Sequence, residues 1–234
     1  MTGPHACDIR IAALQNYSLY FLFAAHKCDP SREAIDRSRG DMTTSEPSRG
    51  LIRKLWMRER DKLCDHLLRL DPESRRLRFA HGVSDSFIKE YVTKINDLNA
   101  VVYGYFEGVE MRAAAELRKI GPMWGSEAEG AFSVERGHQN TGIGTELMGR
   151  IIRSARNRAV HHIQMACLSE NSKMQHVARK FDAVLRFGQG EMTGEIEPKP
   201  GNMATMIEEA VDDQRAYILM VLDLQSKLRP SAVA

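Results

Sequence analysis

The sequence predicts an α/β (α+β) fold, and three local patterns predict it. Gln139-Asn140-Thr141-Gly142-Ile143-Gly144-Thr145 lies between a strand-like run, Glu127 to Val134, and a strongly periodic helix, Gly142 to Ala159. Glu107-Gly108 joins a continuous apolar run, Val101 to Phe106, to an alternating one; glycine accepts the positive φ that a tight hairpin needs. Helical stripes stand on either side of these strands. With 234 residues and 43% apolar content, the chain can build one sizeable core with appendages. A net charge of +2 gives no general pull toward nucleic acid or an anionic membrane. Cys7, Cys28, Cys64 and Cys167 are widely spaced with no CxxC pair, which reads as reduced thiols in a cytoplasmic protein.

From the start of the chain, Ile9 to Ala25 is mostly apolar, but Gln15, Asn16 and Ser18 interrupt it. It is shorter than a membrane span, and a peripheral extension is the preferred reading over a signal segment. Asp29 to Arg49 is rich in Ser, Arg, Asp and Gly and reads as a linker; Met42 within it is a second candidate start of translation. Residues 1–50 are therefore an irregular N-terminal extension. Leu51 to Trp56 reads as a strand. Arg58 to Leu70 reads as a helix with Leu63, His66, Leu67 and Leu70 on one stripe, ended by Asp71-Pro72. After Arg75 to Phe79, Ser84 caps a second helix whose buried stripe is Phe87, Ile88, Tyr91, Val92 and Ile95.

The strand pair follows. In its second half Val109, Met111, Ala113, Ala115 and Leu117 alternate with Glu110, Arg112, Ala114 and Glu116, the pattern of a half-buried strand. The helix after the glycine loop has an apolar face of Ile143, Leu147, Met148, Ile151, Ile152, Ala155 and Ala159. Arg150, Arg153, Arg156 and Arg158 read as a solvated face rather than a nucleic-acid surface. His161 to Leu168 is a strand and Asn171 to Phe181 a short helix. Ala183 to Phe187 and Glu191 to Glu197 close a strand pair around Gly188-Gln189-Gly190. Pro198, Pro200 and Gly201 end the main domain, 51–198. In the C-terminal segment 199–234 an amphipathic helix presents Met203, Ile207, Ala210, Tyr217, Ile218, Val221, Leu224 and Leu228. Such a helix packs on its own domain more often than on a second copy, so a monomer or homodimer is expected.

A glycine loop opening a helix presents unpaired amides, and the helix dipole favours an anion there. A Rossmann fingerprint needs a third glycine where the chain has Leu147, and Gly149 is out of register. A Walker loop needs Gly-Lys-Ser/Thr, which is absent.

The order of elements from Leu51 to Glu197, with Gln139-Asn140-Thr141-Gly142-Ile143-Gly144 at this place and Asn171 opening the helix after the next strand, resembles the GNAT superfamily of acyl-CoA-dependent N-acetyltransferases. Leu70 to Phe79 is also similar to the opening of one bacterial branch of these enzymes. The resemblance implies a mixed, mainly antiparallel central sheet flanked by helices. It implies acetyl-CoA as co-substrate, its pyrophosphate held by the amides of Gln139, Asn140, Thr141, Gly142, Ile143, Gly144 and Thr145. The pantetheine arm would pair with the backbone of Phe132 and Val134, and Asn171 would help to fix it. No metal, nucleic acid or membrane is implied. Two positions depart from the commonest loop: Asn140 and Thr141 stand where Gly and a basic residue are usual. Asn tolerates the turn's backbone angles, but one phosphate partner is lost.

Acyl transfer to an amine needs a neutral nucleophile, and an alkylamine has a pKa of about 10. A base must take its proton, directly or through water. Glu129, on the strand before the loop, is the candidate catalytic base, with Glu116 the second choice. Many relatives protonate the leaving thiolate with a Tyr in the helix after Asn171; here the matching position is Ala178. A parent thiol pKa of about 8.5 makes the thiolate a fair leaving group without that acid. His138 is expected to face the coenzyme or solvent, and His161-His162 to have no metal partner. The expected function is N-acetyl transfer from acetyl-CoA to a primary amine of a small molecule or protein. A non-catalytic acyl-CoA-binding module is the alternative.

Overall fold

The computed structural model describes residues 50–188 and 190–228. The apolar stretch Ile9 to Ala25, the linker, Met42, Cys7, Cys28 and Gln189 lie outside the described residues. Seven strands form one sheet: β1 (Leu51–Lys54), β2 (Ala100–Glu107), β3 (Glu110–Lys119), β4 (Glu127–Val134), β5 (His162–Leu168), β6 (Val184–Phe187) and β7 (Glu191–Ile196). Their order is β1-β2-β3-β4-β5-β7-β6, and every neighbouring pair is antiparallel except β4 with β5. The helices are α1 (Arg60–Arg69), α2 (Pro72–Phe79), α3 (Asp85–Thr93), α4 (Ile143–Asn157), α5 (Ser172–Arg179) and α6 (Met203–Leu228). This is the mixed, mainly antiparallel sheet flanked by helices that the sequence implies.

The one parallel pair has a chain-level cause. The loop after β4 leads into α4, and α4 crosses the sheet face before β5 begins, so β5 starts at the same end as β4. On that face Leu147, Met148 and Ile151 of α4 are fully buried with Ala113, Ala115, Leu117 and Ile163. The opposite face packs Leu63 and Leu67 of α1 and Ile88 and Val92 of α3 on Ala100, Val102, Phe106, Met111 and Ala114. Burying each such side chain contributes about 1.5–3 kcal/mol.

Several local expectations are corrected. Asp71-Pro72 ends α1 as read, but α2 follows at once, because Asp71 caps it by accepting from the Ser74 amide (3.1 Å) and Pro72 supplies a preset φ. β1 is shorter than expected. β3 is buried on both faces: Ala114 and Glu116 are each 1% exposed, because α1 and α3 cover the side that alternation assigns to solvent. Val109 falls in the turn and is exposed, and Phe87 leaves its helix stripe at 37% exposure.

The largest correction concerns α6. Met203, Ile207, Tyr217 and Ile218 are exposed, as is Ala210, whereas Glu209, Ala216 and Met220 are buried. The arginines of α4 are the partner surface. Arg150 and Arg153 pair with Asp212, and Arg158 pairs with Glu209 at 2.7 Å. Lys54 and Lys62 add Asp213 (2.6 Å) and Asp223 (2.8 Å). Charge complementarity, not the apolar stripe, decides which face of α6 docks. Among the described residues no helix is long and apolar enough to cross a membrane.

Candidate active site

β4 pairs with β5 only over Glu127–Glu129 opposite His162–Gln164. Beyond that the strands separate, because β5 stays with β7 up to Leu168. The Glu135 amide donates to the Arg112 carbonyl (3.0 Å), which sets the alternation along β4. Residues 129, 131 and 133 bond back to β3, so the backbone groups of Gly130, Phe132 and Val134 face the opening. One of these is taken: the Gln139 side chain donates to the Val134 carbonyl at 3.0 Å.

At the far end of the opening α4 begins. Gly142 has φ +90° and Asn140 φ +64°, a backbone region that glycine enters freely and Asn better than most residues. The Gly142 carbonyl accepts from the amides of Thr145 (3.0 Å) and Glu146 (3.1 Å). Among the described residues the amides of Gly142, Ile143 and Gly144 donate to no protein acceptor. They are the unsatisfied first turn of a 15-residue helix, which carries partial positive charge.

Edge and helix start meet in one cleft of about 510 Å³, within the usual size range of ligand sites. Phe132, Val134, Gln139, Asn140, Gly142, Gly144, Thr145 and Asn171 all line it. Thr141 and Ile143 do not: the Thr141 hydroxyl donates to the His138 carbonyl (2.6 Å), and the Ile143 side chain is in the core. Asn171 caps α5, its Oδ1 accepting from the Met174 amide at 3.1 Å. His138 lines the cleft and lies 3.0 Å from Glu107.

Sequence reasoning missed the cations of this cleft. Lys173 and Lys180 line it from the α5 segment, and Lys173 Nζ donates to Gln139 Oε1 at 2.6 Å. Lys173 thereby brings positive charge beside Gln139 of the glycine loop. Lys173 follows Asn171 by two residues, a signal present in the sequence but with meaning only once α5 faces the loop.

Glu129 is half-buried near the start of β4, beside Arg118 in register, and does not line the cleft. It interacts electrostatically with the Arg78 cation. Glu116 is committed: Arg78 Nη2 donates to its Oε1 and the Tyr91 hydroxyl to its Oε2, both at 2.7 Å. Arg78 also lines the cleft. Burial opposes its charge, but Tyr91 and Glu116 outweigh this and raise its pKa, so it stays a cation. Burial pushes the Tyr91 hydroxyl pKa upward and keeps it a neutral donor. Ala178 is 1% exposed and belongs to the main core.

A second buried chain of polar groups reaches the cleft. Ser133, which lines it, lies 2.9 Å from His66 Nε2, and His66 Nδ1 lies 3.1 Å from Glu135 Oε1. His66 sits in the apolar stripe of α1, where the sequence reads as core; a histidine at a stripe position was the available signal.

A family model described as the acetyltransferase (GNAT) family matches residues 64–183. No curated protein matches the chain. Among solved structures, the GNAT domain of PAT from S. lividans is similar at 23% identity and a TM-score of 0.56, covering 63% of this chain and 90% of that one. RimL, an alpha-N-protein acetyltransferase in complex with coenzyme A, is similar at 15% identity and a TM-score of 0.50, over 65% of this chain and 97% of that one. The match to a cAMP-binding acyltransferase from Mycobacterium smegmatis has 24% identity and a TM-score of 0.48, over 72% of this chain and about half (51%) of that one. The family model spans more than half of the chain, from within α1 through strands β2 to β5, the glycine loop and α5: the chain belongs to the acetyltransferase (GNAT) family and is an acyltransferase.

Proposed function

We propose that the chain transfers an acetyl group from acetyl-CoA to a primary amine, carried by a small molecule or by a protein. The observation that carries this reading is the meeting, in one cleft, of an open strand edge and an unsatisfied helix start. A pyrophosphate suits the amides of Gly142 to Gly144, with Lys173 and Lys180 as counter-charges. An extended amide-bearing arm suits the free backbone groups of Phe132 and the free amide of Val134, as a strand added to β4. RimL is a relative in complex with coenzyme A.

Glu129 is the proposed base. Its carboxylate can accept the amine's proton, through water if the amine stops short of it. Glu116 is less suited, since Arg78 and Tyr91 already occupy both of its oxygens.

The test is calorimetry with acetyl-CoA, followed by thiol release in the presence of an amine pool. Binding together with amine-dependent release is expected. Glu129→Gln should lower turnover by about 10²–10⁴-fold with the circular dichroism spectrum unchanged. Failure to bind acetyl-CoA overturns the reading.

A further inference from the structure

The chain Ser133–His66–Glu135 has no part in the amine transfer proposed above. Ser133 and Glu129 are on one strand four residues apart, roughly 13 Å. The protons in the chain can be placed. Burial would raise the Glu135 pKa, but His66 and Arg69 outweigh it and hold it down at about 2. Glu135 is therefore an acceptor only, and His66 Nδ1 must donate to it. His66 is fully buried, and burial lowers its pKa against the opposing pull of Glu135, so the ring is neutral at pH 7. Its Nε2 then carries a lone pair, and the Ser133 hydroxyl must donate to it. The lone pairs of Ser133 Oγ are left for another group, on a residue that lines the cleft. A serine donating to a neutral imidazole, itself oriented by a carboxylate, is an activated nucleophile by geometry and roles.

We propose that Ser133 takes an acyl group from a thioester or activated ester held in the cleft, with His66 as its base and Glu135 orienting His66. Ser133 Oγ forms a bond to the carbonyl carbon and the C–S bond breaks. The hydroxyl proton passes to His66 Nε2 and on to the departing thiolate, leaving acyl-Ser133 and a free thiol. Water then attacks the ester, its proton passing through His66 Nε2 to Ser133 Oγ, and the carboxylic acid leaves. The chain is thereby also an acyl-ester hydrolase in the absence of an amine. Ser133 meets a thioester only if acyl-CoA occupies the cleft, as proposed above, so the test includes a donor free of coenzyme A.

The full chain is incubated without amine with acetyl-CoA, and separately with p-nitrophenyl acetate. Intact and peptide mass spectrometry then locate any acetyl group, and released thiol or nitrophenol is counted. Acetylation at Ser133 with continued product release is expected. Ser133→Ala should remove the adduct, and His66→Gln should slow its formation by about 100-fold or more. Because His66 is fully buried, its variant can fail to fold; Glu135→Gln, which keeps shape but allows the wrong tautomer, should slow it by at least about 10-fold. If acetyl-CoA binds by calorimetry and neither donor acetylates Ser133, the proposal is overturned while the amine-transfer reading stands. If acetyl-CoA does not bind, the amine-transfer reading falls and p-nitrophenyl acetate decides Ser133 by itself. Adduct formation at an unchanged rate in Glu135→Gln also overturns it.

Discussion

Removing the Glu209 carboxylate should unfasten α6 at its one buried charge among the described residues. Glu209 is 7% exposed and accepts from Asn157 Nδ2 (2.6 Å), Arg158 Nη1 (2.7 Å), Ser154 Oγ (2.9 Å) and, more weakly, the Tyr103 hydroxyl (3.4 Å). Burial works against its charge, and Arg158, Asn157 and Ser154 together outweigh that and lower its pKa. Glu209→Ala deletes the acceptor for all four. A hydrogen bond to a charged group contributes about 1.5–3 kcal/mol, and orphaning a buried partner adds to the loss. Two features reduce the sum. Arg158 is 22% exposed and can be rehydrated, and its Nη1 keeps the Ser154 hydroxyl at 2.7 Å. The expected cost is therefore about 3 kcal/mol, rather than the full sum over these bonds. For a unit of this size that lowers Tm by about 6–12 °C. Urea titration of wild type and variant at pH 7 measures it, with an unchanged m-value showing that the same unit unfolds. Glu209→Gln, which keeps an acceptor but not the charge, should cost about half as much. A loss below about 1 kcal/mol for Glu209→Ala would refute the idea that charge pairing docks α6.

Three further outcomes follow from the site. The carboxyl of Glu135 is at about 2 when folded against 4.5 ordinarily, and His66 is lowered from 6.5, so the unfolded chain binds more protons in both cases. Stability should hold above pH 6.5, fall first as the unfolded His66 takes a proton, and fall again between pH 4.5 and 2; Glu135→Gln should flatten the lower step in urea titrations across pH. Gly142→Val forces a branched side chain to φ +90°, and should cost about 1–3 kcal/mol and weaken acetyl-CoA binding in calorimetry. Lys173→Ala should weaken acetyl-CoA about 3–10-fold with a smaller salt dependence, at unchanged thermal stability; an unchanged Kd would remove Lys173 from the proposed phosphate site.

The glycine loop was legible because it is local. Strand, turn and helix start stand within about twenty consecutive residues, and the positive φ at Asn140 and Gly142 is a property of those residues in that turn. Asn171 was legible for the same reason, as a cap. Thr141 and Ile143 belong to the loop in sequence yet face away from the cleft, since a helix start turns its side chains about the axis. The burial of Glu116 and the exposure of α6 were not legible. Periodicity records which face of an element is apolar, not which surface comes to meet it. β3 is covered on both sides, and the arginines of α4 give an acidic helix face a better partner than an apolar one.

The sequence by itself determined every strand and, α2 apart, every helix, with their order and the glycine loop, because propensity, turn chemistry and periodicity act over a few residues. Only the tertiary structure decided which distant side chains share an environment. Arg78 with Tyr91 and Glu116 is one such set, and Ser133 with His66 and Glu135 is another. His66 and Ser133 are 67 positions apart, and neither is unusual where it stands. Burial sets their protonation and the packing of α1 on β3, the neighbour of β4, sets their distance, and both exist only in the folded chain.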